Sequence, residues 1–312
     1  MNEELIKRTT SVLVYHNDNI FIKYLLDNID FLEETSKDII SELELVDFEE
    51  KEYETYMSLN EILDIVRDFL KSIDESYYQL FEELIQNGTI NIYDASVKEN
   101  IEEFGNEAYH ESYENRYGNR VSNINIPIGH TIDDVYTIVH EFIHHTNLNN
   151  SRTNDRTMFT EGVSILYEYI LYNYLKSKDI NQNDSKTSIM FRVKDLFNKA
   201  QMIKMYVDLI KESRKQYYLE TNEEKIDEDL DIVISDMKYY LGGLIAILKY
   251  YDYTRGIMDI KNINNFNNAI VRKQNCESLN YIFMSEPTTE QITSSIEFIL
   301  EELMPSINKT NK

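Results

Sequence analysis

The sequence predicts a mainly α-helical protein with a small β-hairpin or ribbon. Only eight glycines and three prolines occur in 312 residues, so the chain has few helix breakers. Long stretches carry apolar residues at intervals of three and four, the spacing that lines one face of a helix. The best segments with alternating polarity are 89–93 and 121–128, which we predict to be the strands of the hairpin or ribbon.

The clearest helix signal is a capping box. Ser58 stands three residues before Glu61, the spacing at which each side chain binds the other residue's backbone N–H. We predict a helix that begins here and continues to Asn87-Gly88, a common helix end. Further helices are predicted at 19–45, 187–219, 229–253 and 289–303, and polar loops at 146–156 and 179–186.

Composition excludes several classes of partner. A net charge of -25 opposes binding to nucleic-acid phosphates and to anionic membrane surfaces, so we expect no nucleic-acid or membrane partner.

No apolar run reaches eighteen residues, and the N-terminus lacks a signal-peptide cleavage site, so we expect a cytoplasmic protein. The single cysteine, Cys276, allows no intramolecular disulfide and is expected to be a buried apolar residue.

One segment carries the residues of a catalytic metal site. His140 and His144 are four positions apart, so one helical turn places both imidazoles on the same face, where a tetrahedral zinc ion can bridge them. Glu141 can face a zinc-bound water. Glu161, which opens the next amphipathic helix, is the candidate third ligand, and Gly162 would let the two helix backbones approach closely. The pattern predicts one Zn²⁺ per chain.

Other interpretations of these residues remain open at this point. The two histidines could be ordinary residues of an amphipathic helix, and Glu161 a first-turn carboxylate favoured by the helix dipole. If Glu161 is not the third ligand, Glu168 is the next candidate. His145 is expected to be solvent-exposed or to support a ligand from behind. His130 lies just before the helix. It could line the cleft or bind a transition-state oxygen, and the alternative is an ordinary loop histidine.

These segments resemble a known family. Residues 134–145 resemble the metal-binding helix of the thimet-oligopeptidase superfamily of zinc metallopeptidases, and the oligoendopeptidase F branch in particular. Residues 160–168 are similar to that branch's helix for the third ligand, with Ser164 and Glu168 at matching positions. Upstream, 58–81 resembles the helix before the active-site ribbon, and downstream, 240–243 resembles a helix that places a substrate-binding tyrosine over the zinc.

The resemblance implies a zincin-like helical metallopeptidase core and a zinc-dependent endopeptidase or oligopeptidase. His140, His144 and Glu161 would hold the zinc, and Glu141 would activate its water. The substrate would be a peptide or an unfolded protein segment, aligned along the strand at 121–128. Candidates for binding the oxyanion are Tyr240, Tyr239, His130 and Lys238, and candidates for orienting a ligand histidine are Ser164 and Asp134.

Two departures from the family favour an alternative function. Family members are nearly twice as long, with a large N-terminal helical lobe, whereas we predict a short helical segment at 1–57 and a catalytic domain at 58–312, packed as one unit. Lys238 also stands where the family has a second tyrosine. The alternative is a catalytically weak or inactive metallopeptidase-like module that binds peptides or a protein partner. The sequence does not determine the cleavage preference or the oligomeric state.

Overall fold

The computed structural model describes residues 19–48, 52–114, 120–148, 160–213, 223–263 and 287–304. In these ranges the protein is mainly helical, as predicted, and contains no helix long and apolar enough to cross a membrane. Its elements are α1 Ile20–Asp27, α2 Ile29–Leu43, α3 Leu59–Ile73, α4 Glu75–Gln86, β1 Ile90–Asp94, α5 Lys98–Phe104, β2 Tyr109–Glu114, β3 Arg120–Ile128, α6 Ile132–Leu148, α7 Thr160–Lys178, α8 Gln182–Ser213, α9 Glu223–Thr254 and α10 Thr289–Leu303.

Local capping fixes where several helices begin. The capping box of Ser58 and Glu61 starts α3 as predicted, and Thr288 with Gln291 forms a second box at α10. The prediction of one helix from Ser58 to Asn87 is wrong, because the backbone of Asp74 is extended and its carboxylate accepts the N–H of Ser76 at 2.8 Å. This cap starts α4 as a separate helix.

The predicted loop at 179–186 is shorter in the structure. Only the turn before α8 is irregular, with positive φ angles of 57° at Asp179 and 40° at Asn181. Asp184 already belongs to α8, where its carboxylate accepts the backbone N–H groups of Glu54 and Thr55 at 2.9 and 3.0 Å. This contact with residues distant in the sequence explains why a polar residue stands at position 184 of the helix. Cys276 lies outside the described residues.

A three-stranded sheet has the order β1–β3–β2. The two predicted strands, β1 and β3, are confirmed, but they pair in parallel, with Ile90 opposite Ile124. The antiparallel ribbon is formed by β3 with β2, which was not predicted because its sequence, Tyr-His-Glu-Ser-Tyr-Glu, lacks branched apolar residues. Because β3 is the central strand, neither of its edges can align a peptide as we had expected.

One hydrophobic core joins the helices, with members from Phe21 to Leu303. The predicted buried face of α6 is confirmed, since five of its apolar side chains are fully buried: Val135, Ile138, Val139, Phe142 and Ile143. Helix α7 packs against both α6 and α9. The predicted domain boundary at residue 57 remains a prediction, although the core includes residues on both sides of it.

A close backbone approach in this core joins α7 and α9. A Cβ atom built on Gly242 would lie 2.8 Å from the backbone nitrogen of Gly162 and 2.8 Å from Cβ of Glu161. Gly162 therefore permits close packing as expected, but its partner is α9 instead of α6. This contact holds the first turn of α7, and with it Glu161, directly against α9.

We expect Gly242→Ala to destabilise the protein by about 1–3 kcal/mol, because the new methyl group overlaps backbone that cannot rotate away. The matched control is Gly243→Ala, whose Cβ would lie 2.9 Å from Cδ1 of Leu196, the mobile end of a side chain. Both changes gain the same helix propensity. Denaturant unfolding with a chelator present compares them, and equal free energies of unfolding would contradict the role of the backbone contact.

Candidate metal centre

Two helices bring three candidate ligands together. Helix α6 presents His140 and His144 one turn apart, and α7 places Glu161 in its first turn. The Nε2 atoms of the two histidines are 3.0 Å apart. Oε2 of Glu161 lies 3.1 Å from Nε2 of His144 and 3.4 Å from Nε2 of His140. The structure therefore brings together the three residues that the sequence identified as ligands.

The dimensions and chemistry of this cluster suit a tetrahedral metal ion. With ligand bonds of about 2.0–2.1 Å, two ligand atoms of tetrahedral zinc are about 3.3 Å apart. The three separations lie near that value, and imidazole nitrogen and carboxylate oxygen are zinc donors. Side-chain exposures of 12%, 15% and 12% for His140, His144 and Glu161 leave the triangle accessible to a further ligand.

The electrostatics of the cluster favour a positive charge. Burial lowers the pKa of His140, but hydrogen bonds to the carboxylates of Glu161 and Glu168 outweigh it and raise that pKa well above the ordinary value. Burial raises the pKa of Glu161, yet the charges and hydrogen bonds of His144 and His140 hold it well below its ordinary value. A metal cation among these atoms would take the place of the proton that the raised pKa favours on His140.

A second carboxylate orients His140 from behind. Oε1 of Glu168 lies 3.1 Å from Nδ1 of His140, on the far side of the ring from the cluster. If Nδ1–H donates to this carboxylate, the lone pair of Nε2 is directed into the cluster. Glu168, which we considered as an alternative ligand, is therefore placed as a support for a ligand.

Arg192 on α8 holds this support in turn. Its Nε–H donates to Oε2 of Glu168 at 3.1 Å, and its Nη1–H donates to Oδ1 of Asp133 at 2.6 Å. The three charged groups and His140 form one connected chain across α6, α7 and α8. Sequence reasoning missed Arg192 because nothing in the local pattern of α8 distinguishes it from a surface arginine.

The two other candidates for orienting a ligand do not contact the histidines. Asp134 accepts the backbone N–H groups of Gly129 and Thr131 at 3.0 and 2.7 Å, so it caps the start of α6. The Oγ atom of Ser164 is buried and has no hydrogen-bond partner among the residues that the structure describes. The carboxylate of Glu168 occupies the position that we had considered for these side chains.

His145 and His130 lie away from the cluster. His145 is buried, with Nδ1 3.1 Å from Oγ of Ser122, so the expectation that it is solvent-exposed is wrong. His130 stacks on Tyr56, and its Nδ1 lies 3.0 Å from the carbonyl oxygen of Met57. The rise of α6 separates its first turn from His140 by about 12 Å, so the structure does not bring His130 to the cluster.

Of the two neighbouring tyrosines, only Tyr239 faces the cluster. The negative charge of Glu161 raises its pKa far above the ordinary value, and burial and the charge of Glu141 raise it further. Tyr240 points elsewhere, because its buried hydroxyl lies 2.5 Å from Oγ1 of Thr35 on α2. Lys238 also lies away, with Nζ 5.8 Å from the ring centre of Phe21. Successive helical positions are about 100° apart, which explains the difference.

Comparison with known proteins gives structural likeness without sequence likeness. No protein-family model and no curated protein matches the sequence. A crystal structure of a protein named as an oligoendopeptidase F, from Bacillus anthracis strain Ames, is similar over 91% of this chain, with a TM-score of 0.52 and 13% identity. One of a protein named as a peptidase, from Chlamydophila abortus, is similar over 93%, with a TM-score of 0.50 and 15% identity.

The chain spans 56% of the length of each of these two proteins. At such low identities the likeness shows the fold alone. This likeness of fold agrees with the resemblance of 134–145 and 160–168 to the thimet-oligopeptidase superfamily. The coverage of 56% agrees with the expectation that family members are longer than this chain. This protein therefore has the mainly helical, peptidase-like fold of the oligoendopeptidase F protein.

Proposed function

We propose that this protein is a zinc-dependent endopeptidase or oligopeptidase that hydrolyses peptide bonds. The observation that carries the proposal is the triangle of His140, His144 and Glu161, whose donor atoms are 3.0–3.4 Å apart. Two histidines, one carboxylate and an accessible fourth position are typical of catalytic zinc sites, whereas structural sites are usually closed by four protein ligands. The peptidase-like fold supports the same reaction class.

In this proposal each residue of the centre has a separate role. His140 and His144 bind the ion through Nε2, and Glu161 binds it through a carboxylate oxygen. Bound zinc supplies a Lewis acid that lowers the pKa of water and polarises a carbonyl group. Glu168 holds the Nδ1 proton of His140, and Arg192 fixes Glu168.

Proton transfer is assigned to Glu141. It follows His140 directly, is partly exposed, and lies close enough for its charge to act on both His140 and Tyr239. It accepts a proton from the attacking water and returns it to the leaving amine. The hydroxyl of Tyr239 donates a hydrogen bond to the oxyanion, since a tyrosine is protonated at neutral pH.

The proposed substrate is a peptide or an unfolded protein segment in an extended conformation. Strand β2 is an edge of the sheet and contacts α6, so its outer edge can pair with a peptide backbone. This edge replaces β3 in the role that the sequence suggested. A cytoplasmic location and the absence of nucleic-acid and membrane partners remain predictions from composition.

The decisive test compares the wild type with Glu141→Gln, each loaded with one equivalent of zinc, on a mixed peptide substrate. We expect the wild type to cleave peptides, a chelator to abolish cleavage, and the variant to keep its zinc while its rate falls at least about 100-fold. Mass spectrometry follows cleavage and metal analysis follows zinc. A wild type that holds zinc and cleaves no peptide would support the alternative, a peptide-binding module without catalysis.

We expect Glu168→Gln to weaken zinc binding by about 10–100-fold, because the amide no longer fixes the Nδ1 proton of His140. Glu161→Ala removes a proposed ligand and should weaken zinc binding more than Glu168→Gln does. Competition with a chromophoric chelator measures both affinities. If Glu161→Ala keeps wild-type affinity, the third ligand is another residue.

For Tyr239→Phe we expect kcat to fall about 10²–10³-fold, with zinc content unchanged, because one oxyanion donor is removed. The neighbouring Tyr240→Phe is the matched control, since its hydroxyl binds Thr35 and should affect stability without lowering kcat. Steady-state kinetics on a cleaved peptide gives both values. A larger loss of kcat in Tyr240→Phe would reverse the assignment.

A further inference from the structure

A cavity of about 250 Å³ adjoins the metal centre between α7, α8 and α9. It is smaller than the roughly 300–1,000 Å³ of sites that hold a whole small-molecule ligand, so it has room for one side chain. His140 and Tyr239 form the part of its lining that belongs to the centre. Its apolar and aromatic walls are Ile165, Tyr169, Phe191, Leu196 and Tyr239.

The position of Tyr239 connects this cavity to the proposed reaction. Tyr239 lines the cavity together with His140, and its hydroxyl is the group that the proposed function assigns to the oxyanion. A peptide bond held between Glu141 and Tyr239 therefore has a neighbouring side chain at the entrance of the cavity. The cavity is placed where it can select that side chain.

Most charged groups around the cavity are already paired. Arg192 is bonded to Glu168 and to Asp133. Lys199, one helical turn beyond Asp195 on α8, is bonded to Asp236 at 2.9 Å. Arg192 and Lys199 are therefore both bonded to other carboxylates, and neither forms an ion pair with Asp195.

Asp195 is the lining carboxylate for which the described residues provide no hydrogen bond or ion pair. Asp195 is exposed to solvent and lines the cavity. Desolvation by the walls raises its pKa, and the charge of Lys199 lowers it. A cation entering the cavity would supply the hydrogen-bonded partner that Asp195 lacks among the described residues.

The shape and charge of the cavity distinguish between classes of side chain. Apolar walls that lead to a carboxylate suit the long methylene stem and terminal charge of lysine or arginine. An apolar side chain would fill the walls but desolvate Asp195 without a partner, which is unfavourable. An acidic side chain would be repelled, because this region holds four carboxylates and two cations. The cations are Arg192 and Lys199, and the carboxylates are those of Asp133, Glu168, Asp195 and Asp236.

We propose that this cavity is a specificity pocket for a lysine or arginine side chain next to the cleaved bond, with Asp195 as the residue that pairs with its positive charge. The inference rests on the proposed peptidase function. It narrows the substrate class to basic peptides and adds a residue that the reaction chemistry does not require.

Binding tests this inference without catalysis. The probes are two pools of acetylated, amidated pentapeptides, randomised except for a central lysine in one and its uncharged analogue norleucine in the other. Zinc-loaded Glu141→Gln is compared with Glu141→Gln carrying Asp195→Asn by equilibrium dialysis with mass spectrometry. We expect the lysine pool to bind about tenfold more tightly than the norleucine pool with Asp195 present. The ratio should approach one with asparagine.

Asp231→Asn in the same background is the matched control. It removes an equal charge from an exposed position on α9, about 12 Å along the helix from Tyr239. We expect it to keep the lysine preference. A lysine-to-norleucine ratio that Asp195→Asn leaves unchanged, or that Asp231→Asn lowers equally, would overturn the inference.

Cleavage of the same two pools by the wild type separates this inference from the proposed function. In one outcome the wild type cleaves both pools at equal rates, and Asp195→Asn leaves the affinities for both pools the same as in zinc-loaded Glu141→Gln. The specificity pocket is then wrong, and the proposed peptidase function remains. If the lysine pool binds preferentially through Asp195 but neither pool is cleaved, the peptidase function is wrong and the cationic pocket remains.

Discussion

The contact between Gly162 and Gly242 is the constraint on which the metal centre depends. Glu161 stands immediately before Gly162, so the closest approach of α7 to α9 also fixes the carboxylate. The same part of α9 carries Tyr239. A pair of glycines thus sets the distance between the helix of the candidate ligand Glu161 and the helix of Tyr239, and residues with side chains would force these helices apart.

The second feature that organises the centre is its connected set of charges. Asp133, Arg192 and Glu168 form a hydrogen-bonded chain that ends on Nδ1 of His140, while Glu161 faces the other nitrogen of the same ring. Removing charges from water is costly, and pairing offsets that cost only when the remaining hydrogen bonds are also made. In the cluster, the two carboxylates around His140 favour a cation, the role that we assign to zinc.

The two proposals assign chemistry and recognition to different residues. Glu141 and Tyr239 are assigned to the reaction, whereas Asp195 on α8 lines a neighbouring cavity and is assigned to recognition. A net charge of -25 is compatible with a positively charged peptide, since an acidic surface attracts cations over several ångströms. The general charge of the chain and the local position of Asp195 therefore favour the same class of substrate.

The sequence by itself determined the features that lie within a single helix. Periodicity and capping gave most helices, and the four-residue spacing of His140 and His144 placed both rings on one face because a helical turn is nearly four residues long. It could not show that Asp74 ends α3, because apolar periodicity continues across that residue and a local cap competes with it.

Only the tertiary structure decided which side chains from different helices meet. Tyr239 and Tyr240 are adjacent and chemically identical in the sequence, yet one faces Glu161 and the other binds Thr35. The structure shows that Glu168 contacts His140 and that Arg192 holds Glu168. The sequence could not show either contact, because the second depends on how α8 packs against α7. These contacts join residues far apart along the chain, whose distances local spacing does not constrain.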